Sequence, residues 1–269
     1  MKINLPNGCK RIRIDIGLAG TAPNTYAWSQ ELEDCFIIAI EPIERNLRCS
    51  TYFVPNSQKN NNILWIQGAI DDVERVERRN MYVTKKDNGC SSLYQPVEFE
   101  VSREEEVGVA SLSTILSSLD WGDLEYVEYL KIDTQGNDLQ VLKSAGEFLD
   151  KVAMLEVECT THGDYHNAPT EIEIIEFLNS RGFSLHKNCE DSYVNGTYVD
   201  RMFYNNKFES MRNDIKTDFQ PATRWLKTPQ GMIRANVFVE FHGDELANQI
   251  NLSSLKNLLN LKDYYERTG

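Results

Sequence analysis

Hydrophobic residues along the chain gather in short runs that stop on an acid or a glycine turn, and helix-spaced stretches separate the runs. Arg11-Ile12-Arg13-Ile14-Asp15-Ile16 alternates apolar with charged residues before Gly17, which predicts a strand and a tight turn. Phe36-Ile37-Ile38-Ala39-Ile40 is a continuous apolar run ending on Glu41-Pro42, the pattern of a strand buried on both faces. Ile63 to Ile70, Tyr129 to Ile132 and Val152 to Glu158 predict three further strands. Between them, helices are expected at Asn24 to Leu32, from Ile43, around Ser113 to Leu119, after Gly136, and from Glu171 to Arg181 with Gly182 closing the last. Phe183 to His186 and Tyr198 to Tyr204 suit a final antiparallel hairpin around Asn195-Gly196.

Strands alternating with helices over residues 11 to 205 predict an open, mostly parallel α/β sheet. Residues 71 to 110 read as irregular and polar, with a turn at Asn88-Gly89 followed by Ser91-Ser92. Arg75, Arg78 and Arg79, interleaved with Glu74 and Glu77, read as a solvated helix face. Residues 1–208 are expected to form one domain. Residues 209–269 are expected to pack on it or cap it, through a strand-like Asn236 to Phe241 and a leucine-rich helix Ser253 to Tyr265 that suits packing within the protomer or across a homodimer.

Composition narrows the chemistry. The 269 residues include 41% hydrophobic ones and carry a formal net charge of −13, so a surface built for nucleic acid is not expected. The six cysteines are scattered without a C-x-x-C pair, and no apolar leader precedes the first strand. Together these features predict reduced thiols, a cytoplasmic location and no membrane association. Neither a G-x-S-x-G nucleophile elbow nor a G-x-x-x-x-G-K-[ST] phosphate loop is present.

The densest signal is Tyr129-Leu130-Lys131-Ile132-Asp133-Thr134-Gln135-Gly136, in which an apolar strand stops on an acid, turns through glycine and re-enters as a helix. That puts Asp133 at the carboxyl edge of the sheet, where parallel sheets bind ligands. Together with Asp15-Ile16-Gly17 and Ile40-Glu41-Pro42, this motif resembles the FkbM family of S-adenosylmethionine (SAM) dependent methyltransferases over roughly residues 10 to 205. Two places depart from the family's pattern. Gln135 stands where a glutamate usually precedes the glycine and Asp138 where another usually follows, and the first loop runs Leu18-Ala19-Gly20-Thr21 with its second glycine shifted by one.

The resemblance implies a Rossmann-like SAM methyltransferase sheet, mostly parallel with an antiparallel final hairpin, helices on both faces and a C-terminal extension. It implies SAM bound by Asp15, Gly17, Ala19, Gly20, Glu41, Pro42, Ala69, Ile70, Ser92 and Asp133, with Glu41 accepting from the ribose hydroxyls. It further implies catalysis by Asp133, Glu158 or His162, and methyl transfer to a hydroxyl of a sugar or small natural product, a small-molecule or glycan acceptor. N-methylation of a peptide side-chain amide, or SAM or sugar binding without turnover, stays open. So does the reading of Asp133 as a helix cap and of Asp15-Ile16-Gly17 as an ordinary turn. A divalent metal is compatible with paired acids at Asp133 and Glu158 but is not predicted. A nicotinamide site is disfavoured because Asp15 would repel a pyrophosphate and the first loop lacks G-x-G-x-x-G.

Overall fold

The computed structural model describes residues 2–54, 62–85, 88–160, 163–186, 193–194, 198–217 and 237–240. Its main sheet contains β1 (Arg11–Ile16), β2 (Cys35–Glu41), β3 (Ile63–Gln67), β7 (Val127–Ile132), β8 (Val152–Thr160), β9 (Phe183–Leu185), β10 (Tyr193–Val194), β11 (Tyr198–Asn205) and β12 (Val237–Glu240). A second, three-stranded sheet holds β4 (Ala69–Ile70), β5 (Glu77–Thr84) and β6 (Val101–Ala110). Along the main sheet the order is β9-β11-β8-β7-β1-β2-β3-β12, with β10 paired to β11. All its pairings are parallel except those of β11, which runs antiparallel to β8, β9 and β10. The fold is therefore the expected Rossmann-like one.

Alternation within the strands assigns each side chain to one of two faces. Ile12, Ile14, Ile16, Leu130, Ile132, Leu155 and Val157 share one buried cluster with residues of α3 (Leu112–Ser118), α4 (Asp138–Ser144) and α5 (Glu171–Ser180). Ile37, Ala39, Trp65, Tyr129 and Met154 pack on the other face against Trp28 and Ala22 beside α1 (Pro23–Glu31) and Leu47 of α2 (Glu44–Phe53). Ser111 caps α3 through the Thr114 amide, and Thr170 and Glu173 form a reciprocal capping box on α5. The Gly182 φ of 79° closes α5 as expected.

Three expectations need correction. Ile63 to Ile70 is not one strand: the chain leaves the main sheet after Gln67 and joins the second sheet at Ala69. Residues 71 to 110 are not irregular, because β5 and β6 form a long antiparallel pair. Period 2 is hidden there because Glu77 to Asn80 and Ser102 to Glu106 are polar at every position, with Arg78 paired to Glu106 and Asn80 to Glu104 across the strands. For the same reason Arg78 and Arg79 lie on a strand rather than a helix, Arg79 bridging Asp71 and Glu77. The Asn195-Gly196 turn and the Ser253 to Tyr265 segment lie outside the described residues; of the expected tail strand, Val237–Glu240 pairs in parallel with β3.

The chain steps outward from β1 to β2 to β3, then returns to place β7 on the other side of β1. This reversal is the switch point at which the carboxyl edge of such a sheet opens into a crevice. There the Asp133 amide donates to the Ile16 carbonyl at 2.9 Å and the Gly17 amide to the Ile40 carbonyl at 3.0 Å, so both neighbours grip the end of β1. Gly17 has φ 86°, and a Cβ on it would lie 1.8 Å from the Asp133 carbonyl oxygen. Gly17→Ala is expected to cost on the order of 2–5 kcal/mol by adding left-handed strain to a backbone clash. Urea denaturation measures this, and an unchanged midpoint would mean that the two strand ends separate freely.

Candidate active site

A cavity of about 310 Å³ opens at this switch point, large enough for a nucleoside-sized ligand. Its floor is built from strand ends: Gly17 and Ala19 after β1, Glu41 and Pro42 at β2, Ala69 and Ile70 after β3, Asp133 to Gln135 after β7, and Glu158 on β8. Met81 of the β5–β6 hairpin and Cys90, Ser91 and Leu93 from its connecting segment close the side. The hairpin, read in sequence as a polar loop, is thus one wall of the site.

At one end Glu41 is buried and organises two loops. Its Oε2 accepts from the Leu18 amide at 3.1 Å and its Oε1 from the Ile43 amide at 3.0 Å. Burial pushes its carboxyl up to about 7, with those amides pulling the other way. Pro42, Ile43, Ile70, Met81 and Leu93 give this end an apolar lining next to the acid. A flat apolar ring beside a hydroxylated sugar suits such a wall, and backbone at Gly17 and Ala19 is open to close approach. The donor set therefore fits SAM.

At the other end Asp133, Gln135 and Glu158 converge. Gln135 Nε2 donates to Asp133 Oδ1 at 2.9 Å and also to Glu158 Oε2. Glu158 is in turn hydrogen-bonded to Asp133; burial first, and then the Asp133 charge, push its carboxyl well up, so it keeps its proton at neutral pH. Below them the buried Lys131 ammonium lies 2.8 Å from Asp200, 3.4 Å from Glu156 and 3.8 Å from Asp133. Burial works against that charge, but the surrounding carboxylates outweigh it and hold the ammonium well above its ordinary value.

The turn carrying Asp133 is held from two sides. Asp138 Oδ1 accepts from the Thr134 amide at 2.9 Å and its Oδ2 from the Gly136 amide at 3.0 Å. Ser92 Oγ donates to the Gln135 carbonyl at 2.7 Å from the hairpin side. Asn137 Nδ2 donates to the Ile70 carbonyl at 2.9 Å, linking the turn to the end of β4.

Eight of the residues expected to form the site therefore line one cavity: Gly17, Ala19, Glu41, Pro42, Ala69, Ile70, Asp133 and Glu158. Three do not. Asp15 is buried beneath the first loop, where its Oδ2 accepts from the Thr25 amide at 3.0 Å and hydroxyl at 2.6 Å, so it anchors the first turn of α1. It shares the α1 face of the sheet with its register neighbour Lys131, but it is taken up by Thr25 and does not line the cavity. Gly20, φ 76°, packs against Asn46 instead. Ser92 is consumed by the Gln135 carbonyl, and its neighbour Ser91 lines the cavity.

Asp133 is not a helix cap, since α4 begins after Asn137 and the turn's amides bond to Asp138. His162 lies outside the described residues, and His166 is exposed and off the cavity. Gln135 was legible only as a departure from a motif, because its two carboxyl partners come from different strands. Among the described residues no group of three or more His, Cys, Asp or Glu is arranged to hold a metal ion. Among them, too, no helix is long and apolar enough to cross a membrane.

Among solved structures, the chain is similar to magnesium protoporphyrin IX methyltransferase (ChlM) from Synechocystis PCC 6803 with bound SAM, at 9% identity over 74% of this chain and 72% of that one, TM-score 0.42. It is also similar to precorrin-6y C5,15-methyltransferase from Geobacter metallireducens GS-15, at 13% identity over 74% and 84%, TM-score 0.38. A third is a SAM dependent methyltransferase from Aquifex aeolicus, at 12% identity over 72% and 81%, TM-score 0.38. No curated protein gives a significant match. The model of the methyltransferase FkbM domain matches residues 17–185, a span that runs from the first cofactor loop through β9 and contains every described strand end lining the cavity except Ile16. The chain belongs to the FkbM methyltransferase domain family and is a SAM-dependent methyltransferase.

Proposed function

We propose that the protein transfers the methyl group of SAM to a hydroxyl of a sugar or a comparable small hydroxylated natural product. The observation that carries this reading is the pair of acids, Asp133 and Glu158, at the end of the cavity opposite Glu41 and its apolar wall. An alcohol is a poor nucleophile until its proton can leave, so a positioned carboxylate at the reacting atom suits a hydroxyl acceptor. The overall charge of −13 works against polyanionic acceptors.

When bound, SAM supplies an electrophilic methyl on a sulfonium. Glu41 would accept from the ribose diol, and Gly17 and Ala19 would lie along the amino-acid portion. Holding acceptor oxygen, methyl carbon and sulfur in line contributes much of the rate. Asp133 takes the hydroxyl proton as the oxygen–carbon bond forms, while the electron pair of the breaking carbon–sulfur bond leaves with sulfur. Glu158 carries its proton throughout and donates it to Asp133 as a hydrogen bond, which keeps the two acids from repelling each other.

Asp133→Asn should leave SAM affinity intact while turnover with a responsive acceptor falls by about 10²–10⁴-fold. Stopped-time assays with an acceptor panel of free sugars, glycosides and amide-bearing peptides read this. Full activity of the variant removes Asp133 from proton transfer, and methylation confined to the peptides replaces the hydroxyl reading with amide N-methylation. Glu41→Gln should weaken SAM binding by about tenfold or more in calorimetry, the loss of one hydrogen bond to a charged group. Unchanged affinity would exclude the ribose role.

A further inference from the structure

Gln135 is an improbable residue for its backbone. Its φ is 57°, a left-handed conformation that costs a non-glycine residue roughly 1–2 kcal/mol, and Gly136 at φ 93° follows it. The residue is also buried, so its side-chain amide must satisfy both an acceptor and two N–H groups inside the protein. It does so completely. Nε2 donates to Asp133 Oδ1 and Glu158 Oε2, and Oε1 lies 2.8 Å from the Tyr165 hydroxyl.

That arrangement fixes which way the amide points. Turning it over would set the carbonyl oxygen against two carboxyl groups. On its other side Oε1 is within reach of the Tyr165 hydroxyl, whose single proton the Cys90 carbonyl at 2.9 Å also approaches. A glutamate at this position would bring a third acid to the pair and no donor. We infer that Gln135 is a positioning residue that joins Asp133 and Glu158 into one hydrogen-bonded pair sharing a single proton, with Tyr165 holding its amide in the required orientation. The inference rests on the reading of Asp133 as the group that receives the acceptor's proton.

Among the described residues, charged groups approach the pair from several elements. Lys131 comes from β7, Glu156 from β8, Asp15 from β1, Asp138 from α4 and Asp200 from β11, the last directly across the strand pair from Glu158. Lys131 favours the ionised pair and the acids oppose it. Hydrogen bonds from the Gln135 amide also favour ionisation, so removing them should move the titration of the pair upward.

The test is a carbon-13 NMR titration of the labelled Asp and Glu carboxyl groups in the ligand-free full chain. Wild type would be compared with Gln135→Met and Tyr165→Phe, and the kcat–pH profile of each measured alongside. Gln135→Met should raise the midpoint of the pair and the acidic limb of the profile together by about one to two pH units, the effect of losing a hydrogen bond to a charged group. Tyr165→Phe should shift both in the same direction by less, with the fold intact, and it decides the matter if Gln135→Met does not fold. Unmoved midpoints would overturn the inference and leave Gln135 as a packing residue. The titration needs no SAM, so a wild type that fails to bind SAM would sink the functional reading without touching this result.

Discussion

Everything at the active edge depends on the contact between the end of β1 and the end of β7. The Asp133 amide completes the ladder on Ile16, and the Gly17 Cα approaches the Asp133 carbonyl so closely that no side chain fits between them. Glycine is required here for space as much as for its φ. Because this contact joins the first cofactor loop to the turn bearing the acids, the two ends of the cavity keep a set separation.

From that point outward each loop is held by a buried polar group. Glu41 ties Leu18 to Ile43, Asp15 ties the start of α1, Asp138 ties Thr134 to Gly136, and Ser92 holds the Gln135 carbonyl from the hairpin. Three of these anchors are carboxyl groups whose folded values are pushed up by burial, Asp15 and Asp138 to about 6 and Glu41 to about 7. Raised acids bind protons more tightly folded than unfolded. Their contribution to stability is therefore fully present below the ordinary carboxylate range and is lost as pH rises through about 6 to 7. The anchors thus set loop geometry at some cost to stability near neutral pH, a balance common where function rather than packing selects a residue.

The β5–β6 hairpin gives the cavity its side wall. Met81, Val83, Val107 and Val109 are buried against the domain, while Arg78, Glu106 and Glu104 carry charge into solvent. A hairpin of this kind can vary at its tip without disturbing the sheet.

Much of this architecture was legible in the residues alone. The apolar runs ending at Asp15, Glu41 and Asp133 marked three neighbouring strands, and the Glu171 to Arg181 pattern with Gly182 marked α5 and its end, because period and turn chemistry are local properties. The hairpin was not legible, since its alternation is hidden by runs of charged residues, some of which pair across the strands. Nor was the division of labour among the acids: Asp15 and Asp133 end similar runs, yet one anchors a helix and the other faces the cavity. The role of Gln135 depends on Asp133, Glu158 and Tyr165 meeting from separate elements. By itself the sequence determined the order of the central main-sheet strands, the helices between them and the family of the chemistry. Which side chains meet, and which acid keeps its proton, was decided by the tertiary structure, because strand register and burial are set by partners far away in the chain.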